Sequence, residues 1–395
     1  MNRSDPAHAF VPYPSATVAH ASTGPLSGLR FAVKDLFDVA GYPTSGGSPI
    51  ILAMSGIKTV TAPTVQRLLD AGACFVGKTV TDELAFSLEG NNVHFGAPIN
   101  GAAPERISGG SSSGSASAVS NGLVDFALGS DTGGSVRAPA SHCGLYGLRP
   151  THGRISVERM LPLAPSCDTC GWFTRDAQTL ARVADVLLGP DIADVSPRLL
   201  WPNDAWALLT SEAKASMETT ASKVIAALTD VAQVSVAHES FGEMSRHFRC
   251  IVGHEAWTVD GPLIARYAPP LGTRIAQHFA WSRQLNDAQF ALATRFRKAF
   301  KEHLDALLGS DGVLLMPTMP DIAPLRNAAE RTVNDYRYRA LPMLSIATLG
   351  GVPQLSLPLT VRDGAPMGLS LLGPTGSDRL LVRLAVKLAA AGVGR

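Results

Sequence analysis

No run of about 18 consecutive apolar residues occurs in this 395-residue chain, so nothing in it reads as a membrane-spanning helix. The stretch from Met1 to Pro14 is polar and contains proline; it lacks the basic start and apolar middle of a secretory signal. A soluble, cytoplasmic protein that does not engage membranes is the expectation. No block of Lys or Arg stands out either, and the formal net charge is +1. Without a basic patch there is no electrostatic footprint for a phosphate backbone, which argues against nucleic acid as a direct partner. Cysteine is sparse: Cys74, Cys143, Cys167, Cys170 and Cys250 are odd in number and scattered, which argues against a disulfide framework. Cys167-Asp-Thr-Cys170 has CxxC spacing, but no second CxxC or histidine pair accompanies it, and the ten histidines contain no HExxH. The expectation is no metal and no cofactor, with His142 a structural histidine or a pocket wall.

What remains is a globular chain, 46% hydrophobic and 17% charged, long enough to bury a large core. Gly28 to Lys34 reads as a short apolar strand ending at Lys34. Ala62 to Gly72 carries Val65, Leu68 and Leu69 at helical spacing, with Pro63 at its start and Gly72 at its end. Cys74 to Lys78 follows as a second strand, and β-α-β alternation predicts an α/β fold. Ser113 to Leu123 suits a helix, Val124 to Leu128 a strand, and Arg175 to Gly189 and Asn286 to Gly309 amphipathic helices. About 190 to 310 reads as mostly helical. Gly312 to Pro317 returns to strand, and Gln354 to Leu359 with Met367 to Leu372, joined at Asp363-Gly364, predicts a hairpin before a last helix. With no linker and no repeat, residues 1–395 read as one α/β domain with a helical excursion.

Two serine-bearing glycine stretches carry the chemistry: Ser108-Gly-Gly-Ser-Ser-Ser-Gly-Ser115 and Gly129-Ser-Asp-Thr-Gly-Gly-Ser-Val-Arg137. Glycine permits close approach to main-chain N–H groups, so glycines before a hydroxyl can supply both a tight turn and an oxyanion hole. A serine hydroxyl is a weak nucleophile unless a base takes its proton. Ser135 does not stand in GxSxG, and no histidine forms a motif with it, which leaves a lysine. Burial can lower a lysine pKa by up to about 3–5 units. Lys34 and Lys78 both end apolar strands, and the residues alone leave the choice open. GxxxxGK[ST] would be needed for a phosphate loop and is absent.

Ala32-Val-Lys34-Asp35, Gly109-Gly-Ser-Ser-Ser-Gly114 and Gly129 to Arg137 resemble the amidase signature family. The resemblance continues through Cys143-Gly-Leu-Tyr-Gly-Leu-Arg-Pro150, Gly153-Arg-Ile-Ser156, Met316-Pro-Thr-Met-Pro320 and Gln354-Leu-Ser-Leu-Pro358, nearly the whole chain. It implies a central mixed β-sheet flanked by helices and a Ser-cisSer-Lys triad: Ser135 the acyl-enzyme nucleophile, Ser111 the bridging serine after a cis Gly110–Ser111 bond, and Lys34 the base. It further implies an oxyanion hole from the N–H groups of Thr132, Gly133, Gly134 and Ser135. Asp131 and Arg137 would brace that loop, with Ser112 beside them; Ser112, Ser113 and Ser115 read as caps of the following helix.

Within the family, Val124 to Gly129, Ser166 to Trp172 and Glu89-Gly-Asn-Asn92 are similar to small-amide hydrolases of the indole-3-acetamide type. That implies a small-molecule amide substrate with an apolar or aryl acyl group, and pocket residues from the excursion and from Glu330 to Met343. The chain is shorter than many members of the family, which implies an opened or reshaped acyl site. A homodimer is the assembly considered. Two other readings stand beside it: the glutaminase subunit of a tRNA-dependent amidotransferase, which needs a partner and glutamine, and a non-catalytic binding protein on the same scaffold.

Overall fold

The computed structural model describes residues 5–192 and 195–393; the first four residues of the polar N-terminal stretch lie outside this range. Among the described residues ten strands form one mixed sheet: β1 (Arg30–Lys34), β2 (Cys74–Thr79), β3 (Phe126–Ser130), β4 (Tyr146–Arg149), β5 (Cys170–Thr174), β6 (Arg198–Pro202), β7 (Val231–Val234), β8 (Gly312–Pro317), β9 (Gln354–Arg362) and β10 (Ala365–Leu372). Their order is β2-β1-β3-β5-β4-β9-β10-β8-β6-β7. β1 runs parallel to both β2 and β3, the centre is antiparallel, and β8-β6-β7 is parallel again. Among the described residues no helix is long and apolar enough to cross a membrane.

Strand alternation sorts large from small side chains. Phe31 and Val33 of β1, Phe126 and Leu128 of β3, Leu148 of β4 and Trp172 of β5 share one core with the Pro63–Asp70, Ala177–Leu187, Ser211–Leu228 and Asp378–Ala390 helices. The intervening residues Ala32, Ala127 and Phe173 turn to the other face, where the Ser113–Ser120 and Arg137–Cys143 helices lie. Small residues on that face let these helices come close. A Cβ at Gly147 would lie 2.4 Å from Ala140 Cβ, and one at Gly129 would lie 2.8 Å from Ser112 Oγ. The Ser113–Ser120 helix, Ser-Gly-Ser-Ala-Ser-Ala-Val-Ser, is buried along all but its last residue. Its hydroxyls do not cap it, contrary to the sequence expectation. Ser112 Oγ donates to Ser130 O (3.1 Å), and Ser115 Oγ donates to Leu128 O (2.8 Å), so both tie the helix to β3. β3 is near enough for the hydroxyls to reach its carbonyls, which a helix approaching through larger residues would not allow.

Two strands lie inside the region read as mostly helical. β6 and β7 are five and four residues long, β7 is half-exposed, and neither shows the alternation that marks a strand. The Glu330–Gly350 helix also has no counterpart in the sequence reading. It contains Pro342, a residue that argues against helix from sequence alone.

A Cβ at Gly171 of β5 would sit 2.2 Å from the Leu148 carbonyl oxygen of β4. Gly171→Ala must therefore push two central strands apart, at a cost of about 1–3 kcal/mol. A thermal-unfolding midpoint clearly below that of the parent is expected; an unchanged midpoint would contradict this packing.

Candidate active site

β1 and β3 are parallel neighbours, and the carboxyl ends of parallel strands are where α/β sheets place ligands. Lys34 is the last residue of β1, one position beyond the Val33–Leu128 pairing, and Ser130 is the last residue of β3. Lys34 is fully buried, and its Nζ donates to Ser111 Oγ (2.7 Å) and Ser130 Oγ (2.8 Å). Both partners are neutral hydroxyls. Burial pulls the Lys34 pKa down to about 7, opposed by the negative charges of Asp82, then Asp131 and Asp168. The Gly110–Ser111 peptide is cis, and the segment is anchored by Gly110 N–H to Leu88 O (2.9 Å) and by Asp82 N–H to Ser111 O (3.1 Å).

Lys78, expected to end its strand, is next to last in β2, which runs on to Thr79, and has a different environment. Its Nζ lies 2.6 Å from Asp35 Oδ1 and donates to Pro43 O and Thr44 Oγ1, both at 2.8 Å. Burial lowers its pKa, and Asp35 opposes that shift. Lys78 is thus held by a carboxylate of its own, whereas Lys34 has only hydroxyls in contact.

Ser112 joins the two glycine stretches. Its N–H donates to Ser135 O (3.4 Å), while its Oγ accepts from Ser130 N (3.3 Å). Ser135 is nearly buried and lines a cavity of about 80 Å³ together with Thr132 and Gly133. The loop from Asp131 to Arg137 is built around one carboxylate. Asp131 Oδ1 accepts from Gly134 N–H (2.8 Å), and Oδ2 accepts from Val136 N–H (3.0 Å) and Arg137 N–H (3.2 Å). Its charge is met by Arg137 (2.8 Å) and Arg149 (3.1 Å), all three groups being fully buried. Burial alone would raise the Asp131 pKa, but the two guanidinium groups and the backbone donors hold it well below the usual carboxylate range. The Gly134 N–H, expected among the oxyanion donors, therefore points to Asp131 and not to a substrate. Thr132, Gly133 and Ser135 are the expected donors not so engaged.

Several contributors were not apparent from sequence. Ser130 is the second hydroxyl on Lys34. Asp82 is buried beside Lys34, and a Cβ at Gly110 would lie 2.2 Å from its Oδ2. Burial raises the Asp82 pKa, against the Gly90 N–H bond and the Lys34 charge. Cys167 and Cys170 are buried free thiols, and the residues between them support the loop. Asp168 Oδ1 accepts from Thr132 Oγ1 (2.6 Å), and Thr169 Oγ1 donates to Asp131 O (2.8 Å). Among the described residues no group of His, Cys, Asp or Glu is arranged to hold a metal. His142 does not line the cavity; its Nε2 meets Tyr336 Oη (2.8 Å), and burial lowers its pKa to about 3.

The cavity walls come from helices distant in sequence. Phe248 and Val252 lie on the Phe241–Tyr267 helix, Trp281 on the Thr273–Ser282 helix and Leu341 on the Glu330–Gly350 helix, with Phe86 and Leu163 completing an apolar surround.

The Amidase family model matches residues 13–217 and 200–382. Amidase 1 of Arabidopsis thaliana is 37% identical, over 95% of this chain and 96% of that protein. The chloroplastic outer envelope protein 64 of the same plant is 35% identical, over 91% of this chain and 65% of its own length. A solved amidase structure superposes with a TM-score of 0.83 at 30% identity, covering 93% of this chain and 85% of that one.

Asp131→Asn would leave two buried guanidinium groups without their counter-charge. Breaking a buried ion pair in this way costs about 3–5 kcal/mol. Denaturant unfolding should report a loss of that order, and a loss below 1 kcal/mol would contradict the organising role given to Asp131.

Proposed function

Because this chain belongs to the amidase family, and is on that ground an amidohydrolase, we propose that it hydrolyses the C–N bond of a small carboxylic amide to acid and ammonia through an acyl-enzyme on Ser135. The observation that carries the reading is the 2.7 Å contact between Ser111 Oγ and a buried Lys34 whose pKa lies near 7. An amine with that pKa is substantially neutral at physiological pH, so its lone pair is free to take a proton.

In the proposed sequence, Ser135 Oγ attacks the amide carbon as its proton passes to Ser111, while the Ser111 proton passes to Lys34. The tetrahedral oxyanion is met by N–H groups of Thr132, Gly133 and Ser135. Preorganised donors of this kind are each worth about 2.7–4 kcal/mol in other enzymes. Collapse breaks the C–N bond, the relay runs backwards to protonate the departing nitrogen, and ammonia leaves. Water then attacks the Ser135 ester along the same relay, releasing the acid and restoring the hydroxyl. Ser130 keeps the Lys34 amine aimed at Ser111, and Asp131, neutralised by Arg137 and Arg149, keeps the donor loop rigid without adding net negative charge at the oxyanion. Phe86, Leu163, Phe248 and Trp281 suit an apolar or aryl acyl group, such as that of indole-3-acetamide. A cytoplasmic location and a homodimer belong to the same proposal, to be checked by fractionation and sedimentation.

Ammonia release should be measured with and without a chelator on indole-3-acetamide, benzamide, short aliphatic amides and glutamine. Chelator-resistant turnover that disappears in Ser135→Ala is expected, with Lys34→Ala lowering kcat by about 10²–10⁴-fold. Turnover that survives Ser135→Ala would sink the mechanism, and turnover confined to glutamine would favour the glutaminase reading.

The pH profile adds a separate check. Lys34 must be deprotonated to act, so kcat/KM should rise with pH through about 7. Asp82 stabilises the Lys34 cation, so Asp82→Asn lowers the Lys34 pKa and should move that limb to lower pH. A limb that stays in place, or moves upward, would contradict the assignment of Lys34 as the base.

A further inference from the structure

Two guanidinium groups line the cavity beside Ser135, and the amide chemistry makes no use of them. Arg337 and Arg249 both face it, and among the described residues neither is ion-paired to a carboxylate. Glu89, the acid whose charge bears on Arg337, is already engaged 2.5 Å from Arg274, itself 3.5 Å from Glu330. Arg337 is nonetheless held in place: its Nη1 donates to His278 Nε2 (2.9 Å), and His278 Nδ1 donates to Phe86 O (2.9 Å). An imidazole that accepts at one nitrogen and donates at the other is neutral, so His278 orients Arg337 without compensating its charge. Burial, reinforced by the Arg337 charge, lowers the His278 pKa to about 3, which keeps it in that form. Arg249 lies over the Trp281 ring, 4.9 Å from its centroid, and 6.0 Å from that of Tyr338. Ring faces attract a cation but do not supply a counterion.

These two partly buried cations stand in a half-open cavity whose lining is mostly apolar, which strengthens their attraction for an anion, and guanidinium groups match carboxylates through paired N–H donors. Resting on the amidase reading above, we infer that the acyl group ends in a carboxylate bound by Arg337 and Arg249, so that the substrates are monoamides of dicarboxylic acids with an apolar or aryl spacer. The apolar walls then hold the spacer, and the reacting carbonyl sits at Ser135.

The test compares 4-carbamoylbenzoate with its neutral methyl ester as substrates. Hydrogen bonds to a charged group support a preference of roughly 10- to 100-fold in kcat/KM for the acid in the wild type. Arg337→Met should bring the acid-to-ester ratio close to one, Arg337→Lys should restore part of it, and Arg249→Met should lower it as well. A wild type that turns over the ester as well as the acid would overturn the inference, as would an Arg337→Met variant that keeps the wild-type ratio. Calorimetric titration of Ser135→Ala with both compounds separates this inference from the amidase reading. Selective binding of the acid without wild-type turnover of any amide would uphold the anion site and sink the amidase reading. Equal or absent binding of acid and ester would overturn the anion site, whatever neutral amides the wild type hydrolyses.

Discussion

A lysine amine enclosed by protein, with hydroxyls and no carboxylate in contact, is the constraint on which the rest of this site depends. Lys34 ends β1 in the sheet interior, and desolvation there works against its charge. Had Asp82 been placed against it, as Asp35 is against Lys78, the ammonium would have been stabilised and useless as a base. Asp82 acts from farther away, moderating the shift without reversing it. Two buried lysines near the ends of neighbouring strands, Lys34 in register with Thr79 and Lys78 with Val33, thus receive opposite assignments from the position of one carboxylate each.

Rigidity around that amine comes from two sources of different kind. One is steric: Ala32, Ala127, Gly129 and Gly147 leave room for the Ser113–Ser120 and Arg137–Cys143 helices to lie on the sheet, and this lets Ser112 bridge Ser130 and Ser135. The other is electrostatic. Asp131 gathers three backbone donors and two guanidinium groups, and so fixes the N–H groups of Gly134, Val136 and Arg137 and with them the course of the loop. A pair buried this deeply gives little net stability against a hydrophobic substitute, but it defines geometry well, and geometry is what an oxyanion site requires.

The strands and helices with strong periodicity were legible in the sequence, as were the glycine stretches. Gly312–Pro317 appears with the expected bounds, and the hairpin turns at Asp363-Gly364. What was not legible depends on long-range placement. Nothing local distinguishes Ser130 from its neighbouring serines until β3 is set beside β1. Arg149 reaches Asp131, and Asp168 reaches Thr132, only through the β3-β5-β4 pairing. β6 and β7 lack apolar–polar alternation, and Pro342 masks a helix whose burial offsets the lost hydrogen bond. The direction of the Gly134 N–H is a matter of tertiary packing that a motif does not encode.

The side-chain protonation of Lys34 can be read directly from the 13Cε resonances of a lysine-labelled sample followed across pH. The expected result is one resonance, absent from the Lys34→Met variant, that titrates near 7. A Lys34 resonance that remains that of an ammonium up to a pH of about 10, as for an ordinary lysine, would contradict the account at its centre.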